Sequence, residues 1–165
     1  MAKQIGTLSF FCGKMAAGKS TRAKQIAEQC QAVLISEDLW LEKLYPAQVR
    51  CLSSYIEYST RLKPIVKELV QSILTTGSDV VLDFPANTVN QRNWFRSIFA
   101  EIAAPHQLFY LARSDQHCLD QLATRRKAQP ERVETDTEDM FWKMHSFFEE
   151  PSLEESFSLL VEGRS

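Results

Sequence analysis

Short apolar runs alternate along this chain with longer stretches of helical periodicity. Thr7-Leu8-Ser9-Phe10-Phe11 predicts a first strand. Ala23, Ile26, Ala27 and Cys30 then recur at i, i+3, i+4 and i+7, so a helix running to about Cys30 shows one apolar face. Ala32 to Ile35 predicts a second strand, which ends in Ser36-Glu37-Asp38, and Leu39 to Tyr45 a short helix stopped by Pro46. From Val49 to Leu62 a helix is expected with Leu52, Tyr55, Ile56 and Ser59 on one face; Pro64 breaks or restarts it. Ile65, Val66, Leu69, Val70, Ile73 and Leu74 form an apolar stripe that ends at Gly77 and reads as core.

Asp79-Val80-Val81-Leu82-Asp83 predicts a third strand, apolar throughout its middle, as expected of strands covered on both faces. Thr88 to Gln91 resembles a capping box and opens a helix to about Ala103, with Trp94, Phe95, Ile98, Phe99 and Ile102 facing the core. Gln107 to Ala112 predicts strand four, and Ser114 caps a helix to about Ala128. Gln129 to Asp136 is polar and interrupted by proline, which predicts a mobile segment, and its acidic residues from Glu131 to Asp139 read as a solvated face. Thr135 to Glu138 forms a second capping box before a helix closed by Pro151, and Ser156 to Val161 predicts the last strand.

Strands alternating with helices imply right-handed βαβ units, an α/β fold and a parallel sheet. In such sheets ligands bind beyond the carboxyl ends of the strands. The stretch between strand one and its helix decides which ligand. Gly13-Lys14-Met15-Ala16-Ala17-Gly18-Lys19-Ser20 fits G-x-x-x-x-G-K-[ST], with a strand entering and a helix leaving as the motif requires. Gly13 and Gly18 allow a tight turn and a close approach to phosphate oxygens. The loop N–H groups, together with the helix N-terminus through Thr21, cradle an anion. Lys19 brings a mobile charge to the β- and γ-phosphates, and the Ser20 hydroxyl suits a magnesium ion.

Two carboxylates lie at the ends of the neighbouring strands. Asp38 is the candidate base for an acceptor hydroxyl, and also suits the N-cap of the following helix. Asp83 is the candidate acidic residue near magnesium, or a cap for the next turn. Arg125 and Arg126 stand where a lid over the β- and γ-phosphates is expected, although cations at a helix C-terminus are favourable in any case. Glu37 reads as solvent-facing. His106, His117 and His145 have no metal-ligand spacing and read as surface or satisfied core residues.

The 165 residues predict a single domain over 1–165 that is large enough for a full core. A net charge of -2 gives no global pull toward nucleic acid or membrane. The four cysteines are scattered and without a C-x-x-C, which predicts reduced thiols in a cytoplasmic protein. The loop begins within a dozen residues of Met1, so no removable leader is expected, and no apolar run reaches the ~20 residues that span a bilayer.

The chain resembles the small P-loop kinases akin to zeta toxins, chloramphenicol phosphotransferase and the kinase domain of polynucleotide kinases. The resemblance rests on Phe10 to Thr21, Ile35 to Trp40, Val80 to Phe84 with Asn87, Gln91, Arg92 and Trp94, Leu122 to Arg126, and Phe147 to Pro151 ahead of Glu154-Glu155. It implies the P-loop containing nucleoside triphosphate hydrolase fold: three α/β/α layers around a five-stranded parallel sheet of order 2-3-1-4-5. It also implies ATP and Mg2+, Asp38 as the activating carboxylate, Arg125 as a lid arginine in a segment around 125–137, and Asp83 with Arg92 near the acceptor or magnesium. No residue set singles out the acceptor; the near-neutral overall charge favours a small-molecule hydroxyl, with a polynucleotide 5′-hydroxyl or a plain NTPase switch as alternatives. The stretch from Arg50 to Thr76 is expected to wall the acceptor pocket, with Tyr55, Tyr58, Arg61 and Lys63 lining it or lying on the surface.

Overall fold

The computed structural model describes residues 4–163. Five strands, β1 (Leu8–Cys12), β2 (Val33–Ser36), β3 (Val80–Pro85), β4 (His106–Leu111) and β5 (Leu159–Glu162), form one sheet of order β2-β3-β1-β4-β5. Every neighbouring pair is parallel, with Phe10 opposite Leu82 on one side and Leu108 on the other. Six helices connect and flank them: α1 (Lys19–Cys30), α2 (Glu37–Leu44), α3 (Leu52–Thr75), α4 (Val89–Glu101), α5 (Asp115–Ala128) and α6 (Glu138–His145).

Side chains alternate across a strand, so successive residues of each strand serve opposite faces. Leu8, Phe10, Cys12, Val80, Leu82, Leu108 and Tyr110 point to one face. There they meet Leu41 of α2, Leu62, Val66, Val70 and Leu74 of α3, and Phe95, Ile98 and Phe99 of α4. Phe11, Val81, Phe109 and Leu111 point to the other, against Ala23, Ile26 and Ala27 of α1, Cys118 and Leu122 of α5, and Phe141 of α6. The result is the three-layer α/β/α arrangement and strand order expected.

Several local expectations change. Pro64 neither breaks nor restarts a helix; α3 runs unbroken for 24 residues with the proline inside it. Pro64 is exposed, so its ring and the carbonyl it leaves unpaired lie on the solvent side, while the buried row on the opposite face holds the helix together. That row is narrower than the predicted stripe, because Ile65 is 63% exposed and Leu69 39%. The cap of α2 is Ser36, whose hydroxyl accepts from Leu39 N at 3.4 Å, and Asp38 falls within the first turn. The cap of α6 is Thr137 rather than Thr135. His106 is a satisfied core residue, stacked on Phe99 and accepting from Ser158 N at 3.0 Å.

Arg92, expected near the acceptor or magnesium, forms a structural clasp. Fully buried, it donates twice to Glu155 at 2.8 and 3.1 Å and to the carbonyls of Ala86 and Glu149 at 3.0 and 2.9 Å. These bonds fasten the 149–155 segment onto α4.

Candidate active site

The phosphate loop is built as the motif demands. Gly18 takes φ +95° at the N-cap of α1, where open space surrounds it, and a Cβ at Gly13 would press on Ala17 Cβ and Leu111 O, both at 3.2 Å. Gly13 N–H donates to Asn87 Oδ1 at 3.0 Å, which pins the start of the loop to the residues after β3. Lys14 is drawn aside by Asp115 at 2.6 Å, so its ammonium is engaged at the start of α5. Met15 and Ala16 are half-buried, Ala17 is buried, and Thr21 is exposed in the first turn of α1.

Lys19 folds back over the loop and donates to the carbonyls of Gly13 and Lys14 at 2.5 and 2.8 Å. Burial pulls its pKa down to about 8, opposed by the nearby Cys12 and Asp83. Asp83 sits within β3, partly buried. Burial raises its pKa and the hydrogen-bonding Ser20 hydroxyl opposes the rise; the charge of Asp38 adds to it and Lys19 again opposes it. Lys19, Ser20, Asp38 and Asp83 thus share one electrostatic neighbourhood. The reason is the register of β2 on β3, which sets Ser36 opposite Asp83 and delivers the next two residues, Glu37 and Asp38, to the same end of the sheet.

Ser20 and Asp83 offer two hard oxygen donors side by side, which fits magnesium. Among the described residues no group of three His, Cys, Asp or Glu side chains forms a metal cage.

Glu37 departs from its expected place in solvent. It is buried, with Tyr55 and Ser59 of α3 donating to its two oxygens at 2.6 and 2.5 Å. Burial holds its carboxyl above the usual range, against the pull of those two hydroxyls. Tyr55 and Ser59 stand one turn apart on a single face of α3, and the packing of that face on α2 brings both hydroxyls to Glu37, which the residues around Glu37 did not signal. Next to them a pocket of about 190 Å³ opens, lined by Asp38, Leu41, Glu42, Tyr45, Ala47, Val49 and Tyr55. Of the four predicted wall residues only Tyr55 lines it. Tyr58 stacks on Tyr45 at 4.1 Å, Arg61 pairs with Glu57, and Lys63 lies over the Trp94 ring.

Arg125 is close enough to Lys19 for their charges to interact, so the end of α5 does face the loop. It is held by Asp136, which is fully buried and also binds Arg132 at 2.9 and 3.3 Å. The acidic run is therefore not simply a solvated face. Arg132, which lies within electrostatic reach of Asp38, was not anticipated. Arg126 is half-buried and its Nε makes no hydrogen bond within the protein.

This geometry agrees with the comparisons. The family model described as AAA domain, AAA_33, matches residues 8–151. The chain belongs to this AAA domain family. No curated protein matches it in sequence. Kti12 of Chaetomium thermophilum, solved in complex with ADP-AlF3, aligns at TM-score 0.65 with 19% identity over 96% of this chain and 90% of its own. The APS kinase CysC of Mycobacterium tuberculosis, in complex with AMPPNP and APS, aligns at 0.64 with 16% identity over 98% and 91%. A gluconokinase from Sinorhizobium meliloti aligns at 0.61 with 15% identity over 99% and 86%. At these identities the shared property is the fold. No helix among the described residues is long and apolar enough to cross a membrane.

Proposed function

We propose that this protein is a magnesium-dependent phosphotransferase that moves the γ-phosphate of ATP to a hydroxyl group of a small molecule. The observation that carries the reading is the gathering of Lys19, Ser20, Asp83 and Asp38 at the carboxyl ends of three adjacent strands, with a pocket opening on Asp38. The phosphotransferases among the similar folds support it at the level of reaction class.

In this reading the loop N–H groups and Lys19 hold the β- and γ-phosphates. Ser20 and Asp83 hold the magnesium ion, which when bound neutralises phosphate charge. Asp38 orients the acceptor hydroxyl and takes its proton. The acceptor oxygen bonds to the γ-phosphorus as the bond to the β–γ bridging oxygen breaks, and ADP leaves with that electron pair. Residues 125–137 act as the lid. Arg125 leaves Asp136 to reach the transferring phosphoryl group, Arg126 supports the nucleotide, and Arg132 keeps Asp136 paired. A cytoplasmic setting accords with four free thiols at Cys12, Cys30, Cys51 and Cys118.

The test is γ-phosphate transfer from labelled ATP with magnesium, offering a fractionated metabolite extract and a 5′-hydroxyl oligonucleotide to wild type and Asp38→Asn. The expected result is a labelled metabolite whose formation falls about 10²-fold or more in the variant with ATP binding retained. Label on the oligonucleotide alone moves the acceptor to nucleic acid. Phosphate released only to water, equally in both proteins, overturns the kinase reading.

A further inference from the structure

Resting on the phosphotransferase reading of this same site, we propose that the acceptor is a small alcohol carrying a protonated amine. The charge and shape of the Asp38 pocket carry the inference. Its volume of about 190 Å³ falls below the ~300–1,000 Å³ typical of sites for drug-sized ligands, so a compact acceptor fits. Two of its seven lining residues, Asp38 and Glu42, are carboxylates and none is a cation. The cations of the surrounding elements lie outside the lining: Arg132 pairs with Asp136, Arg61 with Glu57, Arg50 donates to the Ala47 carbonyl, and Lys63 lies over the Trp94 ring. An anionic acceptor meets two like charges in the lining itself.

Asp38 and Glu42 are four residues apart on α2, so they share a face and lie roughly 6 Å apart along the helix axis. One carboxylate faces the reacting hydroxyl while the other is left for a second group on the same small molecule. A protonated amine is the group that a carboxylate without a cation partner recognises. The rings of Tyr45 and Tyr55, also lining the pocket, favour a cation as well. Leu41, Ala47 and Val49 supply an apolar surface for the carbon skeleton.

The experiment offers wild type three separate sets of acceptors with labelled ATP and magnesium: amino alcohols and amino sugars, uncharged polyols and sugars, and sugar acids and sugar phosphates. The amine set is expected to give the highest kcat/KM, by about tenfold over the best uncharged acceptor, a difference near 1.4 kcal/mol. Glu42 is exposed, so Glu42→Lys is expected to fold. It should raise KM for amine acceptors by about tenfold and improve use of the anionic set. Best activity on uncharged or anionic acceptors, or a Glu42→Lys profile unchanged across the three sets, overturns the proposal. ATP consumed at the same rate with and without every acceptor, with phosphate passing only to water, overturns the phosphotransferase reading and this assignment with it.

Discussion

Tyr55 donates its hydroxyl to the buried carboxylate of Glu37 at 2.6 Å, joining α3 to the residue that precedes Asp38. Ser59 completes the pairing at 2.5 Å. The two bonds fix the first turn of α2, and so the position of Asp38. Tyr55→Phe leaves one carboxylate oxygen buried without its donor, and the expected cost is about 1–3 kcal/mol. Urea denaturation measures it. The same variant should lower transfer more than ATP binding, because the displaced group belongs to the acceptor side; equal losses in both would show that α2 does not depend on this contact.

Burial disfavours the charge of the Lys19 amine and brings its pKa from 10.5 down to about 8. ATP affinity in the free protein is therefore expected to fall as pH rises from ~7 to ~9, by up to about tenfold, while Lys19→Ala binds weakly and without that dependence. Calorimetric titration of ATP across this range is the check. For folding the sign is opposite. Between about 8 and 10.5 the unfolded chain keeps a proton that the folded one has lost, so this group's contribution to stability rises with pH.

Asp136 gathers Arg125 and Arg132, and although burial opposes it, those two partners hold its carboxyl below the ordinary range. The folded pKa lies under the unfolded one, so its contribution is complete at neutral pH and is lost as pH falls from near 4 through the folded value. Asp136→Asn is expected to cost about 2 kcal/mol, since both arginines are partly exposed and screened. Denaturant melts of wild type and variant should converge in acid. A gap that persists unchanged at low pH would mean that the pairings contribute little.

Arg92 predicts the largest stability loss. Arg92→Met removes the partner of Glu155, of the buried Ala86 carbonyl and of the Glu149 carbonyl, and should destabilise by about 3–5 kcal/mol. The expected sign in limited proteolysis is early cutting within residues 149–155. A variant as stable as wild type would leave the clasp without energetic weight.

The phosphate loop, the α/β alternation and the five strands were legible because each is written in contiguous residues: a spaced motif, a period of two or an apolar run, a period near 3.6. Lys19, Ser20, Asp38 and Asp83 followed from the same rule, since strand ends in a parallel sheet share one edge. The exposed proline of α3 was misread because local propensity argued for a break, while the decisive term was the buried row of Leu62, Val66, Val70 and Leu74 on the other face.

The sequence by itself determined what kind of sheet this is and that a glycine-bounded loop joins β1 to α1, because those depend on short-range periodicity and backbone freedom. The tertiary structure alone decided which polar groups meet. Tyr55 reaches Glu37 across 18 residues, Arg125 reaches Asp136 across 11, Arg92 reaches Glu155 across 63 and Gly13 reaches Asn87 across 74. A carboxylate reads the same in a sequence whether it faces water or is buried beneath two hydroxyls. Its role is assigned only when packing removes the water and leaves one set of partners within hydrogen-bond reach.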